Sequence, residues 1–136
     1  MQGIVLTSHG EMAKGLLQTT TLFFGEQPQL TARCLMPNDS PDDFVDVLKE
    51  AINEVDTGDG VIVMCDMLFG TPCNTMARIV GLDLEDEKVQ VLCGMNLAMV
   101  LQMLATRENQ HCTPEELIEA GHQGIADLKA TLKAGI

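Results

Sequence analysis

The stretch "VIVMC", residues 61–65, constrains this chain more than any other: five apolar residues, bounded by "DTGDG" before and Asp66 after. A run this short, rich in β-branched side chains and closed by turn formers, reads as a strand buried on both faces. Such a strand needs cover above and below its sheet, and helices are the usual way to supply it.

Three further runs fit the same description: "GIVLT" (residues 3–7), Leu30–Leu35 and "VQVLC" (residues 89–93). Between them the apolar period lengthens to that of a helix. Met12, Leu16, Leu17, Thr20, Phe23 and Phe24 fall near one helical face, with Gly25 as a stop. "NDSPDDF" opens a second helix, with Ser40 as cap and Pro41 in the first position; Phe44, Val47, Leu48, Ala51, Ile52 and Val55 form its apolar face. Thr71 and Pro72 are read as cap and first residue of a third, in which Met76, Ala77 and Val80 point inward. Asn96 caps a fourth through Met99, Val100, Met103 and Leu104. "TPEE" starts another at Thr113, carrying Leu117, Ile118 and Ala120. Gly121 and Gly124 interrupt that helix, so "GIADLKATL" (124–132) is left as either more helix or a short edge strand. The alternation predicts one α/β domain spanning 1–136: three layers, doubly wound, with a mostly parallel sheet.

Charge narrows the partners. Twenty acidic residues against eight basic ones give a net charge of −12, which disfavours nucleic acid and anionic membranes. The five cysteines show no CxxC spacing and three end or lie in strand-like runs, as expected of buried thiols in a reducing cytoplasm. Met1-Gln2-Gly3 carries no basic flank, so no secretory leader is expected, and no apolar segment approaches the ~20 residues of a membrane span.

In parallel α/β sheets ligands bind beyond the carboxyl ends of the strands, where the strand order reverses. His9 follows the first strand, Met36-Pro37 the second, Asp66 the third and Asn96 the fourth. An order of 2-1-3-4 would set His9 and Asp66 face to face. Asp66 could then accept the Nδ1–H of His9, fix the tautomer and leave Nε2 free as a base or nucleophile. The plainer readings are a histidine bonded locally and an aspartate capping nearby amides. Gly10, Gly70 and Thr71 lie at helix starts, where backbone amides favour an anion, and Thr71 could equally be a simple cap.

The other chemistry-bearing residues form no pattern. His111 and His122 have no spaced partner, Cys73 reads as packing, "TSHG" is not a nucleophile elbow, and there is no GxGxxG or P-loop. No metal, cofactor or nucleotide is indicated. Histidine chemistry beside anion-binding helix ends suits phosphoryl transfer, and leaves a hydrolase open.

Three blocks carry a family resemblance. "IVLTSHGEMAKGLL" (4–17), "VIVMCDMLFGTPCNTMARI" (61–79) and "VLCGMNLAMVLQML" (91–104) resemble, in order, the signatures of the enzyme IIA component of the mannose family of the bacterial phosphoenolpyruvate-dependent sugar phosphotransferase system. The resemblance implies a homodimer on a sheet of order 2-1-3-4, with a C-terminal strand exchanged between subunits; that strand would fall in residues 124–132. It implies that His9 is phosphorylated and that Asp66 hydrogen-bonds it. It also implies a phosphoryl group received from the phosphocarrier protein HPr and passed to an enzyme IIB component, for uptake through membrane IIC and IID components. The alternatives are the related phosphotransfer subunit of a dihydroxyacetone kinase, a His–Asp hydrolase and a regulatory binding domain. Two positions depart from the family pattern: Phe69 replaces the first of two adjacent glycines, and Ala98 stands where proline is common.

Overall fold

The computed structural model describes residues 1–81 and 84–135. Four strands, β1 (Gly3–His9), β2 (Leu30–Leu35), β3 (Val61–Cys65) and β4 (Val89–Cys93), alternate with α1 (Met12–Phe24), α2 (Pro41–Val55), α3 (Thr71–Val80) and α4 (Leu97–Thr106). Two further helices follow, α5 (Pro114–Gln123) and α6 (Leu128–Lys133). The strands form one parallel sheet in the order β2-β1-β3-β4.

The two central strands explain why their sequences are continuously apolar. Alternate residues serve opposite faces. Ile4, Leu6, Ile62 and Met64 join one core with Ala13 of α1, Met99, Val100 and Met103 of α4 and Leu117 of α5. Val5, Val61, Val63 and Cys65 join the other, with Phe44, Leu48 and Ala51 of α2 and Met76 of α3. Full burial of each such aliphatic side chain stabilises the fold by about 1.5–3 kcal/mol. The three-layer, doubly wound reading therefore holds, strand by strand.

The helix starts hold in part. Asn96 accepts the Met99 N–H at 3.0 Å, and Thr113 and Glu116 form a reciprocal capping box. At α3 the cap is Gly70 rather than Thr71, and no side chain closes that end. Gly121 does not interrupt α5. It lies inside the helix, where a Cβ would come within 3.1 Å of Met99, so α5 packs closely on α4. On α1 the expected face holds in its middle, where Thr20 is buried and Leu16 and Leu17 pack on the core, but not at its ends: Met12, Phe23 and Phe24 are exposed, and Ala13 is buried instead.

The strand expected in residues 124–132 is not formed. Leu128–Lys133 is α6, because Asp127 accepts the Ala130 N–H at 3.2 Å and the segment Leu-Lys-Ala-Thr-Leu-Lys favours helix. Ile125, Leu128 and Leu132 are exposed.

Arg107, at the end of α4, is a structural residue that the sequence patterns did not single out. It is buried and donates to the carbonyls of Gln2 (3.2 Å), Gln29 (2.9 Å) and Pro28 (2.6 Å), tying α4 to the start of β1 and the approach to β2.

Candidate phosphoryl-transfer site

The parallel register of β1 and β3 pairs Thr7 with Cys65, so the next residue, Asp66, comes level with the end of β1. Asp66 Oδ2 accepts the backbone N–H of His9 at 3.0 Å and lies 2.8 Å from His9 Nδ1. A carboxylate can only accept, so Nδ1 carries the proton and the neutral ring keeps its lone pair on Nε2. Asp66 is largely buried while the His9 side chain is 44% exposed, which anchors the ring from below and leaves Nε2 approachable. The second oxygen, Asp66 Oδ1, is buried with no hydrogen-bond partner among the described residues.

Neighbouring residues hold the pair in place. Ser8 is buried; its Oγ accepts the Ala13 N–H at 2.7 Å and donates to the Gly10 carbonyl at 3.1 Å. It therefore caps α1 from outside the usual cap position. A serine before an α-helical run was the available signal, but its distance from Met12 hid it.

Gly10 makes the turn out of β1 with φ +57°, a left-handed conformation that glycine adopts without a steric penalty. Its N–H donates to the Leu35 carbonyl at 2.8 Å and is thus engaged in joining β1 to β2. Gly70 is needed for a different reason. A Cβ there would lie 2.6 Å from His9 Cε1 and 3.3 Å from Nε2, so the absence of a side chain is what admits the imidazole. The Gly70 N–H closes a turn onto the Met67 carbonyl at 3.2 Å. Of the three residues expected to bind phosphate, Gly10 and Gly70 have their N–H engaged, while that of Thr71, at the open N-terminus of α3, has no acceptor among the described residues. Cys73 N–H likewise has no acceptor among the described residues.

Phe69 also has a left-handed backbone, φ +63°, which costs a non-glycine residue about 1–2 kcal/mol. The Asn74 side chain donates to its carbonyl at 3.1 Å and helps fix the loop. Met67, Leu68 and Phe69 are all exposed on that loop, with Met12 and Met36 on the segments following β1 and β2.

Behind the loop lie three thiols. Cys93 Sγ donates to Cys73 Sγ at 3.4 Å, and burial, reinforced by Cys73, pushes the Cys93 thiol up to about 11. Burial raises Cys65 further in the same direction. Cys65 and Cys93 are therefore protonated at neutral pH and pack as small apolar side chains. His111 lies beside Asp59 and Gly60, which precede β3, and the described residues contain no group of three or more His, Cys, Asp or Glu arranged to hold a metal ion. Among the described residues, no helix is long and apolar enough to cross a membrane.

The sequence model described as "PTS system fructose IIA component" matches residues 3–120. The mannose-specific EIIAB component of Escherichia coli K12 is 28% identical over 130 residues, 93% of this chain and 39% of the relative. This chain thus spans about two-fifths of that protein's length. The fructose-specific EIIA component of Bacillus subtilis is 24% identical over 134 residues, 98% of this chain and 81% of the relative. Among solved structures, a IIA protein associated with the fucose utilization operon of Streptococcus pneumoniae superposes with TM-score 0.85 at 27% identity, covering 96% of both chains. An EIIA component from Streptococcus agalactiae gives TM-score 0.84 at 25% identity, covering 96% of this chain and 99% of that one.

Fold and likenesses together define a phosphotransferase-system protein, and within that system a sugar-specific IIA component. The chain belongs to the mannose/fructose family of these components, EIIA-man.

Proposed function

We propose that this chain is a cytoplasmic phosphoryl carrier that accepts phosphate from phospho-HPr on His9 and passes it to an enzyme IIB component. The observation that carries the reading is the His9–Asp66 pair, with Nδ1 held at 2.8 Å and Nε2 left open above the sheet. The Nε2 lone pair attacks phosphorus in line, an N–P bond forms, and the bond to the donor histidine breaks. The ring becomes cationic as the bond forms, and the Asp66 carboxylate stabilises that charge through Nδ1–H. In the second step the same atoms run in reverse toward the IIB acceptor.

The Thr71 N–H at the start of α3 is the best-placed amide for an equatorial phosphoryl oxygen. Gly10 and Gly70 act by shaping the turn and admitting the ring, since their own amides are engaged. The phosphate then moves onward to sugar entering through membrane IIC and IID components. Homodimerisation, implied by the family resemblance, belongs to this reading as well.

The deciding experiment is incubation of wild type and His9→Ala with phospho-HPr. Wild type should take up one acid-labile, base-stable phosphate per chain. His9→Ala should fold with the same circular dichroism and take up none. A variant that is phosphorylated as well as wild type would remove His9 from the site.

A further inference from the structure

Three thiols are grouped behind the His9 loop, and the phosphoryl chemistry uses none of them. The sheet register pairs Cys65 of β3 with Cys93 of β4, side by side on the face that α2 and α3 cover. Cys73, in the first turn of α3, brings its Sγ to 3.4 Å from Cys93 Sγ. All three are free thiols; Cys65 and Cys73 are buried and Cys93 is half-buried, so Cys93 is the one that a small oxidant reaches first.

Of its two neighbours, Cys73 is the one free to close on Cys93. Cys65 and Cys93 occupy paired positions on hydrogen-bonded strands, and the N–H groups of Gly94 and Met95 both donate to the Cys65 carbonyl at 3.0 Å, which fixes the spacing of that pair. The first turn of α3 has no such tether: no side chain caps it, and the Thr71 and Cys73 N–H groups have no acceptor among the described residues. Closing from 3.4 Å to the about 2.05 Å of a disulfide therefore falls on the start of α3. That start is also a wall of the His9 site. Gly70, whose missing Cβ admits the imidazole, belongs to the same turn as Cys73, with Asn74 N–H on the Gly70 carbonyl at 2.9 Å. Because β4 stands across β3 from β1, drawing Cys73 to Cys93 carries Gly70 and Thr71 away from His9.

We infer that Cys73 and Cys93 are a redox modification site: hydrogen peroxide joins them in a reversible disulfide, and the disulfide slows phosphoryl acceptance at His9. The bond itself is independent of the phosphocarrier reading, and its effect on His9 rests on that reading. The Cys93 sulfur attacks the peroxide O–O bond, giving a sulfenic acid and one water; the Cys73 sulfur then forms the S–S bond and expels a second water. Two thiols and one peroxide thus give one disulfide and two waters, and a small thiol reverses the change by exchange. Burial keeps the Cys93 thiol protonated at neutral pH, so the oxidation is slow and answers sustained rather than brief exposure.

The test treats the full chain, wild type and Cys93→Ala, with hydrogen peroxide and then with dithiothreitol. In wild type, two of the five thiols should resist alkylation until dithiothreitol is added, and peptide mapping should find the bond between Cys73 and Cys93. Labelling by phospho-HPr should slow at least about tenfold, the scale of a small misplacement beside a reacting group, and recover with dithiothreitol. Reduced Cys93→Ala should be labelled at the wild-type rate and keep that rate after peroxide. A bond mapped to Cys65 or Cys34, or no bond, would overturn the inference. So would an oxidised wild type labelled at full rate, or an equal loss in Cys93→Ala that dithiothreitol does not reverse, which is the mark of methionine oxidation. Reduced wild type that takes no label would remove the phosphocarrier reading and the effect on His9 with it, while alkylation and mapping still decide the disulfide.

Discussion

Asp66 meets His9 twice through a single oxygen: Oδ2 accepts the main-chain N–H at 3.0 Å and the ring Nδ1–H at 2.8 Å. The backbone contact sets where the carboxylate sits, and the ring contact uses that position to fix the tautomer. Replacing Asp66 with Asn keeps an oxygen acceptor for both contacts but removes the negative charge. The expected result is an intact fold and phosphoryl acceptance slowed by roughly 10²–10³-fold, the scale of losing one preorganised electrostatic contact in a transition state. Rapid-quench transfer from phospho-HPr measures it, and an undiminished rate would leave Asp66 a structural role only.

Gly70 offers a steric test of the same geometry. An alanine Cβ would be 2.6 Å from His9 Cε1, so the ring must swing away or the α3 start must shift. Gly70→Ala should stay folded while phosphoryl acceptance falls by at least about tenfold, the usual scale for a small misplacement of reacting atoms. Nitrogen NMR of the imidazole should show Nδ1 losing its strong hydrogen bond. Retention of both the rate and the Nδ1 signal would show that the loop relaxes without touching the ring.

Arg107 tests the other end of the molecule. Its guanidinium donates to the carbonyls of Gln2, Pro28 and Gln29, and Arg107→Met would remove those three bonds, leaving Gln29 only the Ile4 N–H that it also accepts at 2.9 Å. A loss of about 3 kcal/mol is expected in urea unfolding, near 10 °C in the thermal midpoint for a chain of this size. Stability within about 0.5 kcal/mol of wild type, the range of an ordinary surface substitution, would show that water replaces the arginine.

The buried thiols predict a pH dependence with a definite sign. Cys93 is raised from its ordinary 9.0 to about 11, mainly by burial and then by Cys73. The unfolded chain loses this proton first. The stabilising contribution is therefore complete below about pH 9 and is lost as pH rises toward about 11. Cys65, shifted the same way, extends the loss to higher pH. Urea midpoints between pH 8 and 11 should fall more steeply for wild type than for Cys93→Ala, and parallel curves would contradict the assignment.

The central strands were legible because burial on both faces leaves no polar position to blur the pattern: "VIVMC" is β3 to the residue. The capping box at Thr113 was legible because its donors and acceptors are local. The ends of the α1 face were misjudged for the opposite reason. Met12, Phe23 and Phe24 satisfy helical spacing, but periodicity does not say how far the sheet covers the helix: Leu16, Leu17 and Thr20 face the core as expected, and Ala13 joins them. Ser8 and Arg107 escaped notice because their partners are set by chain reversal and by distant loops.

The sequence by itself determined an acidic α/β domain, the bounds of β2, β3 and β4, and two residues, His9 and Asp66, at or just past the ends of β1 and β3; β1 runs two residues beyond the run that predicted it. Those properties follow from composition and short-range pattern. Only the tertiary structure decided that one carboxylate oxygen serves both the His9 backbone and its ring, that Gly70 is small so the imidazole fits, and that residues 128–133 are helix. Each of these depends on distances across elements or on competition between local conformations, which residue spacing does not encode.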